Sequence, residues 1–274
     1  MTERKSILCP NCRKLISLDE PECPYCGLSR PGLHHRAGSV RKIFFGVDPV
    51  TAIIYINIAF YLLSVLLDPR GLSGGGGSFS FLSPSQQSLF SLGATGTIPV
   101  WSAHRYWTLI SASFLHGGIL HIGFNMLAFY QLGPFILREF GFHRFINLYV
   151  LTGTAGFAVS VFFGVPFTLG ASASICGLIG AILYYGKSRG DYYGEAIYKQ
   201  AMGWVIGLII FGLIFSGINN WAHGGGLLSG VFLGYLMKYN DIRPESAWMK
   251  SLAYACIVIT PAVLCWAVIS SIAG

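Results

Sequence analysis

Charge is what this sequence has least of. Only 29 of its 274 residues are Asp, Glu, Lys or Arg, and long stretches after residue 50 carry none of them. Beside 53% hydrophobic residues and a mean hydropathy of +0.60, that scarcity excludes a soluble globule and indicates a bundle of membrane helices. The formal net charge of +7 does not indicate a nucleic-acid partner, because eight of the eighteen basic residues precede residue 43 and the rest stand singly or in pairs between apolar runs. They read as topology signals. A cleavable signal peptide is not expected either, since a polar, cysteine-rich stretch of more than forty residues precedes the first apolar run.

Seven apolar segments are long enough to cross a hydrocarbon core as helices: Val50–Leu67, Leu115–Leu137, Phe145–Val165, Phe167–Tyr185, Ala201–Ile218, Asn219–Met237 and Ser251–Ala273. Gly164-Val165-Pro166 and Gly217-Ile218-Asn219 supply the breakers for the two tightest joints. With the N-terminus inside, sixteen of the eighteen Lys and Arg residues fall on the cytosolic side, leaving Arg70 and Arg105 opposite. The expected topology is therefore N-terminus cytosolic and Gly274 on the far side. A bacterial inner membrane is the expected setting.

A 47-residue connection, Asp68–Phe114, separates the first two spans. It opens on the flexible run Gly74–Gly77, but Phe79, Phe81, Leu82, Leu89, Phe90, Trp101, Tyr106 and Trp107 make it too apolar for a solvated tether. It is expected to lie in the outer interface of the bilayer.

Polar side chains inside membrane spans are costly and are functional candidates by default. The second span carries His116, His121 and Asn125, the fourth opens on Gly170-Ala171-Ser172-Ala173-Ser174, and the sixth opens on Asn219-Asn220-Trp221-Ala222-His223. All three spans run inward, and His121, Ser172 and His223 fall four to six residues from the outer end, about 6 to 9 Å deep at 1.5 Å per residue. One shared level argues for one site. Small residues follow each cluster, with Gly226, Gly230 and Gly234 below His223 and Ser172, Cys176 and Gly180 forming a matching stripe, so that the two helices can approach closely.

A serine hydroxyl needs a base to become a nucleophile, and a neutral imidazole suits that task. No Asp or Glu lies within any predicted span, so Ser172 and His223 would form a dyad, with Asn125, His121 and the Ser172 backbone N–H as oxyanion donors. Singly, these residues have ordinary alternatives. His121 and Asn125 could bond neighbouring helices, His223 could line a proton or ion path, and Ser172 could bond back to its own helix.

Phe114-Leu115-His116 through His121 to Asn125-Met126, then Gly170-Ala171-Ser172, then Ala222-His223 and its glycines resemble the rhomboid intramembrane serine proteases. The resemblance spans residues 50 to 240, six helices in order, with a further C-terminal span as in six-plus-one rhomboids. It implies an all-α membrane fold, Ser172 as nucleophile, His223 as base, His121 and Asn125 on the oxyanion side, and His116 as structural. Ser174 is the rival nucleophile, but two residues turn it about 200° away along a helix. Two departures stand out. Ala173 replaces the usual Gly, and its methyl is expected to crowd the backbone near the oxyanion. The usual Trp-Arg pair appears as Trp107-Thr108 with Arg105 nearby, which puts loop anchoring in question.

Cys9, Cys12, Cys23 and Cys26 form two Cys-Pro-x-Cys turns ten residues apart, a spacing suited to tetrahedral zinc in a small ribbon in a reducing compartment. Such a ribbon has little core, so the metal would supply its fold. The chain thus divides into a zinc-ribbon-like module at 1–29, a basic linker at 30–49, a six-span core at 50–240 and an additional membrane helix at 241–274. The expected activity is cleavage of transmembrane protein segments near the outer face, with no cofactor for catalysis, the lipid bilayer as surroundings and a cytosolic partner for the ribbon. A non-catalytic rhomboid-like protein that holds membrane clients is the alternative, and a channel using buried histidines the third reading.

Overall fold

The computed structural model describes residues 6–9, 12, 14–32, 48–69, 82–215 and 217–273. Most of the basic linker, the Gly74–Gly77 run, Phe79, Phe81 and Gly274 lie outside the described residues.

Seven long helices appear in the predicted order: α1 (Pro49–Leu67), α4 (Ile119–Phe140), α5 (Phe142–Phe162), α6 (Ser172–Arg189), α7 (Tyr192–Ile214), α8 (Asn220–Met237) and α9 (Ala247–Ala273). Between α1 and α4 stand two short α-helices, α2 (Gln86–Ser91) and α3 (Thr108–Ser111), with a π-helical turn at Ile98–Ser102 and a 3-10 turn at Ala112–Phe114. Among the described residues five helices, α1, α4, α5, α7 and α9, are long and apolar enough to cross a membrane. The sequence count was seven. The two that fall short, α6 and α8, are rich in glycine, and α6 is buried along most of its length. Protein rather than lipid surrounds α6, so side-chain hydrophobicity is not what holds it.

Backbone proximity holds these two helices instead. A Cβ added at Gly226 would overlap the Ala173 carbonyl, one at Gly230 the Gly177 carbonyl, and one at Gly180 the Leu227 carbonyl. The α6 face that meets α8 is therefore Ala173–Gly177–Gly180, not the Ser172–Cys176–Gly180 stripe read from the sequence. Contact one residue further along leaves Ser172 and Cys176 facing a cavity. Packing and chemistry use different sides of one helix.

Several helix starts differ from the sequence reading, each for a local reason. The fourth helix begins at Ser172 instead of Phe167, because Gly170 takes φ +126° and residues 165–168 run extended against the preceding loop. The second begins at Ile119 beyond two glycines, which places His116 outside it. The fifth begins at Tyr192, where Asp191 accepts the Gly194 N–H at 2.7 Å and caps the helix nine residues before Ala201. Gly141, at φ +88°, alone joins α4 to α5.

Over its described part the connection before α4 packs against the helices. Leu89, Leu92, Ala94 and Leu115 form a buried cluster that packs with Phe60 and Leu63 of α1, Leu169 and Val268 of α9. Among its described residues Leu82, Ile98, Trp101 and Tyr106 remain prominent on its surface. Arg105 anchors it. Its guanidinium donates to the Phe90 and Ser91 carbonyls at 2.6 and 2.9 Å, over the Phe90 and Trp107 rings. The carbonyls lie at the end of α2, where a cation is favoured. The anchor that the missing Trp-Arg pair put in question comes from the arginine two positions before the tryptophan.

At the opposite end of the bundle Arg144 is fully buried. It donates to the Phe140, Met237 and Arg243 carbonyls at 3.0, 3.0 and 2.6 Å and to Asn240 Oδ1 at 2.9 Å, tying the α4–α5 joint to the segment between α8 and α9. Far up the chain, β1 (Ser6–Leu8) and β2 (Leu15–Ser17) form an antiparallel hairpin with Ile7 opposite Ile16, and both pack with Cys9 and Cys23.

Candidate functional site

Three helices begin at one end of the bundle and bring the predicted polar residues together. Ser172 is the first residue of α6, His223 the fourth of α8 and His121 the third of α4. The shared level inferred from the sequence holds as shared proximity to helix starts, not as a depth of four to six residues. That difference matters chemically, because the N–H of Ser172 has no partner within its own helix and stands at the positive end of the dipole.

The Ser172 Oγ and His223 Nε2 lie 2.8 Å apart. His223 Nδ1 is buried without a partner, so no carboxylate orients this ring. Glu139 and Glu195 fall inside helices by the observed boundaries, but in the last turn of α4 and the first turn of α7, at the other end of the bundle. A neutral imidazole with its proton on Nδ1 leaves Nε2 to accept from the hydroxyl.

His121 approaches the same point from the other side. Its Nδ1 accepts the Gly117 N–H at 3.2 Å, which in the neutral ring puts the proton on Nε2. A Cβ at Gly170 would lie 2.7 Å from that Nε2 and 3.7 Å from Ser172 Oγ. Glycine is required there twice over, by its φ of +126° and by the ring pressed against it. Asn125 donates through Nδ2 to the His121 carbonyl at 2.8 Å, while its Oδ1 is buried without a partner. His116 packs edge-on against His121 at 5.1 Å between centroids, and neither of its ring nitrogens has a partner.

The rival residues point elsewhere. Ser174 is buried facing Gly153 of α5 beside Ser113, on the side away from His223. Ala173 does not crowd the oxyanion side as expected: its methyl faces Gly156 of α5 in a cluster with Ala112, Phe157 and Ala222. Glycine at 156 makes room for it.

Ser172, His223, His121 and Asn125 all line one cavity of about 1180 Å³ between α4 and α7. Its far wall is α7, from Gln200 through Gly203 and Gly207 to Phe211. That helix is buried only at Gly194 and Ala201, both toward its first turns, where Gly186 of α6 lets the two backbones meet. Phe124 and Phe211 close edge-on across the gap at 6.5 Å. A polar hydroxyl thus faces a wide apolar space whose outer wall is weakly held.

The loop that leads into Ser172 is clamped to the first connection. Thr95 and Thr168 exchange backbone hydrogen bonds at 2.9 and 2.7 Å, Thr97 N–H reaches Val165 O at 2.8 Å, and Thr108 Oγ1 donates to Thr95 Oγ1 at 3.0 Å. Sequence reasoning missed these threonines and the role of Asn219. The only signal for them was an asparagine where a helix cap belongs.

The four cysteines form a second cluster. Their sulfurs all lie within 4.8 Å of one another, with Cys9 to Cys26 at 3.7 Å and Cys12 to Cys23 at 3.6 Å. The edge of a tetrahedron with Zn–S bonds of about 2.3 Å is close to these spacings. Desolvation pushes the Cys12 thiol up to about 12. Cys23 feels desolvation too, but the Tyr25 and Cys26 N–H groups outweigh it and pull that thiol down to about 7. Four thiols this close fit a divalent thiophilic cation.

A family model described as Rhomboid domain matches residues 103–240. RHOMBOID-like protein 4 of Arabidopsis thaliana is 28% identical over 222 residues, covering 73% of this chain and 54% of that protein. RHOMBOID-like protein 5 of the same plant is 34% identical over 175 residues, covering 62% and 55%. Rhomboid protease GluP of Bacillus subtilis is 30% identical over 209 residues, covering 76% and 39%. The chain spans about half the length of the first of these relatives.

Proposed function

Because the chain belongs to the rhomboid family, we propose that it is an intramembrane serine endopeptidase in which His223 takes the proton of Ser172 and the serine attacks a peptide carbonyl. The observation that carries this reading is the 2.8 Å contact between Ser172 Oγ and His223 Nε2 on the wall of the cavity between α4 and α7. The Ser172 N–H, His121 Nε2 and the Asn125 amide are the donors nearest the developing oxyanion. His223 then returns its proton to the leaving amine, and water hydrolyses the acyl-enzyme by the same relay. The substrates are transmembrane segments that reach the cavity sideways, past Phe124 and Phe211, because α7 is the wall with least packing.

The chain is an integral, multi-pass membrane protein. The distribution of Lys and Arg supports a cytosolic N-terminus and an outward active site, and the proposed location is a bacterial inner membrane, a reading that the similarity to the Bacillus subtilis protease supports. Cys9, Cys12, Cys23 and Cys26 would hold a structural zinc, which would close the small ribbon at 1–29 and take no part in the reaction. The remaining divisions, a linker at 30–49, a core at 50–240 and a last helix at 241–274, follow the same reading.

The test is incubation of the purified full chain in detergent with a panel of model transmembrane substrates, comparing wild type with Ser172→Ala. Cleavage by wild type alone, with fluorophosphonate labelling of Ser172, is the expected result. Client capture that survives Ser172→Ala, with no cleavage of any substrate, would make it a membrane client-binding protein instead.

A further inference from the structure

Nucleophile and base belong to different helices, and their separation depends on how the starts of α6 and α8 are joined. We infer that Asn219 is the positioning residue that sets the Ser172–His223 geometry; this deepens the protease reading above and rests on it.

Three groups of one residue support the inference. Asn219 caps α8, its Oδ1 accepting the Ala222 N–H at 3.1 Å while its carbonyl accepts the His223 N–H at 3.2 Å. Its Nδ2 donates to Ser160 Oγ of α5 at 2.6 Å and to Thr168 Oγ1 at 2.9 Å. Thr168 lies on the segment that leads into Ser172 and is itself clamped by Thr95. A single amide therefore ties the base-bearing helix, the nucleophile-bearing loop and the α5 scaffold together.

Residue type points the same way. Capping needs only an acceptor, so serine, threonine or aspartate would serve a helix start equally well. Two further hydroxyl contacts need a second polar atom beyond the capping oxygen, which serine and threonine lack and the amide supplies. The neighbouring Asn220 does something different, donating to the Gly212 carbonyl of α7 at 3.1 Å from an exposed position. His223 follows Asn219 by one helical turn, so play at the cap reaches the imidazole directly. Misplacement of a catalytic group by about 1 Å can cost about 100-fold in rate.

Two substitutions separate the bridge from the cap. Asn219→Ser keeps an acceptor for the Ala222 N–H but loses the two donors. Asn219→Asp keeps the cap and lets the Ser160 and Thr168 hydroxyls turn to donate to a carboxylate. For the full chain in detergent, the readouts are kcat and KM on one cleaved transmembrane substrate, the rate of fluorophosphonate labelling at Ser172, and the thermal midpoint. Asn219→Ser is expected to lower kcat and labelling about 10- to 100-fold with KM and midpoint near wild type, and Asn219→Asp to recover most of that loss. Thr168→Val, which cuts the bridge from its other end, should produce a similar fall that does not add to that of Asn219→Ser.

Wild-type kcat and labelling in Asn219→Ser would overturn the inference and leave Asn219 as a cap. So would an Asp variant as slow as the Ser variant, or an effect confined to KM. A wild-type protein that neither cleaves nor labels is a different failure, since it removes the protease reading and this inference with it.

Discussion

Arg144 at one end of the bundle and the polar cluster around Ser172 at the other differ in how fully their buried groups are paired. At the end holding the basic residues, Arg144 is fully buried and donates to three carbonyls and one amide from three segments of chain. Near Ser172, Asn125 Oδ1, His223 Nδ1 and both nitrogens of His116 are buried with no partner at all. Buried polar groups left unpaired cost stability, so a fold tolerates them where another molecule or a reaction intermediate can use them. Full pairing marks Arg144, which joins the helices at its end, although Asn147 Oδ1 and Ser246 Oγ nearby are buried without a partner. Spare hydrogen-bonding capacity at the proposed reactive end coincides with the cavity and the loosely packed α7.

The sharpest way to test that contrast is to remove the reacting pair. Ser172→Ala and His223→Ala should each lower cleavage by at least about 10⁴-fold, since each destroys a unit that acts as one, and the double variant should be no slower than either single. Thermal midpoints should stay near wild type, because neither side chain holds the bundle together. Substantial turnover by Ser172→Ala would move the nucleophile elsewhere, although Ser174 faces α5 and has no path to His223 without a rotation of α6.

The end that holds Arg144 should show the reverse pattern, a loss of stability with no special effect on the chemical step. Arg144→Ala leaves three carbonyls and the Asn240 amide unpaired in a buried site, and should destabilise the protein by about 3 to 5 kcal/mol. Glu245 adds a milder, pH-dependent part. Burial pushes its carboxyl up, but the 2.6 Å pair with His143 and the nearby Arg144 outweigh this and hold it below the usual carboxylate range. A carboxylate depressed in the native state contributes stability that is complete above its unfolded pKa and is lost as pH falls through the native value. Glu245→Gln should therefore lower the thermal midpoint at neutral pH, with the gap closing below about pH 4. A gap that persists in acid would mean that shape rather than charge holds this joint.

An intermediate effect is expected at Asn125, which belongs to the Ser172 end and is not part of the proposed reacting pair. Losing one oxyanion donor costs about 2.7 to 4 kcal/mol in a well-studied soluble case, and here His121 and a backbone N–H remain. Asn125→Ala should lower kcat with little change in KM. An unchanged kcat would make its bond to the His121 carbonyl a matter of helix packing alone.

How far all this was legible in the sequence follows from the range of the interactions involved. Helix number and order were legible, because each apolar run states its own length. Ser172, His223, His121 and Asn125 were legible as well, because a polar group in an apolar run stands out by itself. Helix starts were not: α6 begins at Ser172 because Thr168 pairs with Thr95, some seventy residues away in sequence, and nothing local records that pairing. The face of α6 was misread by one residue for a similar reason, since only the glycines of α8 decide which side they meet. Arg144 looked like a topology signal and Asn219 like a span opening. Their partners come from other helices, and a single chain does not display them.

The smallest effect is expected from removing the N-terminal module. In the proposed topology, Cys9, Cys12, Cys23 and Cys26 precede the cytosolic end of α1, whereas Ser172 and His223 lie at the far end of the bundle, so about 30 Å of hydrocarbon separates the metal site from the reacting atoms. A metal bound there cannot touch the scissile bond, and the ribbon has its own small core of Ile7, Ile16 and two cysteines. A chain truncated before Val40 should therefore keep wild-type kcat and KM on a model substrate in detergent, while its abundance, localisation or choice of substrate changes in cells. Chelation of the full-length protein should unfold the ribbon and likewise leave cleavage unchanged. Loss of cleavage on truncation or chelation, in a purified protein whose bundle still melts at its usual temperature, would show instead that the ribbon acts on the active site through α1. The two ends of the molecule would then be coupled, and the contrast between a structural end and a reactive end would fail at that helix.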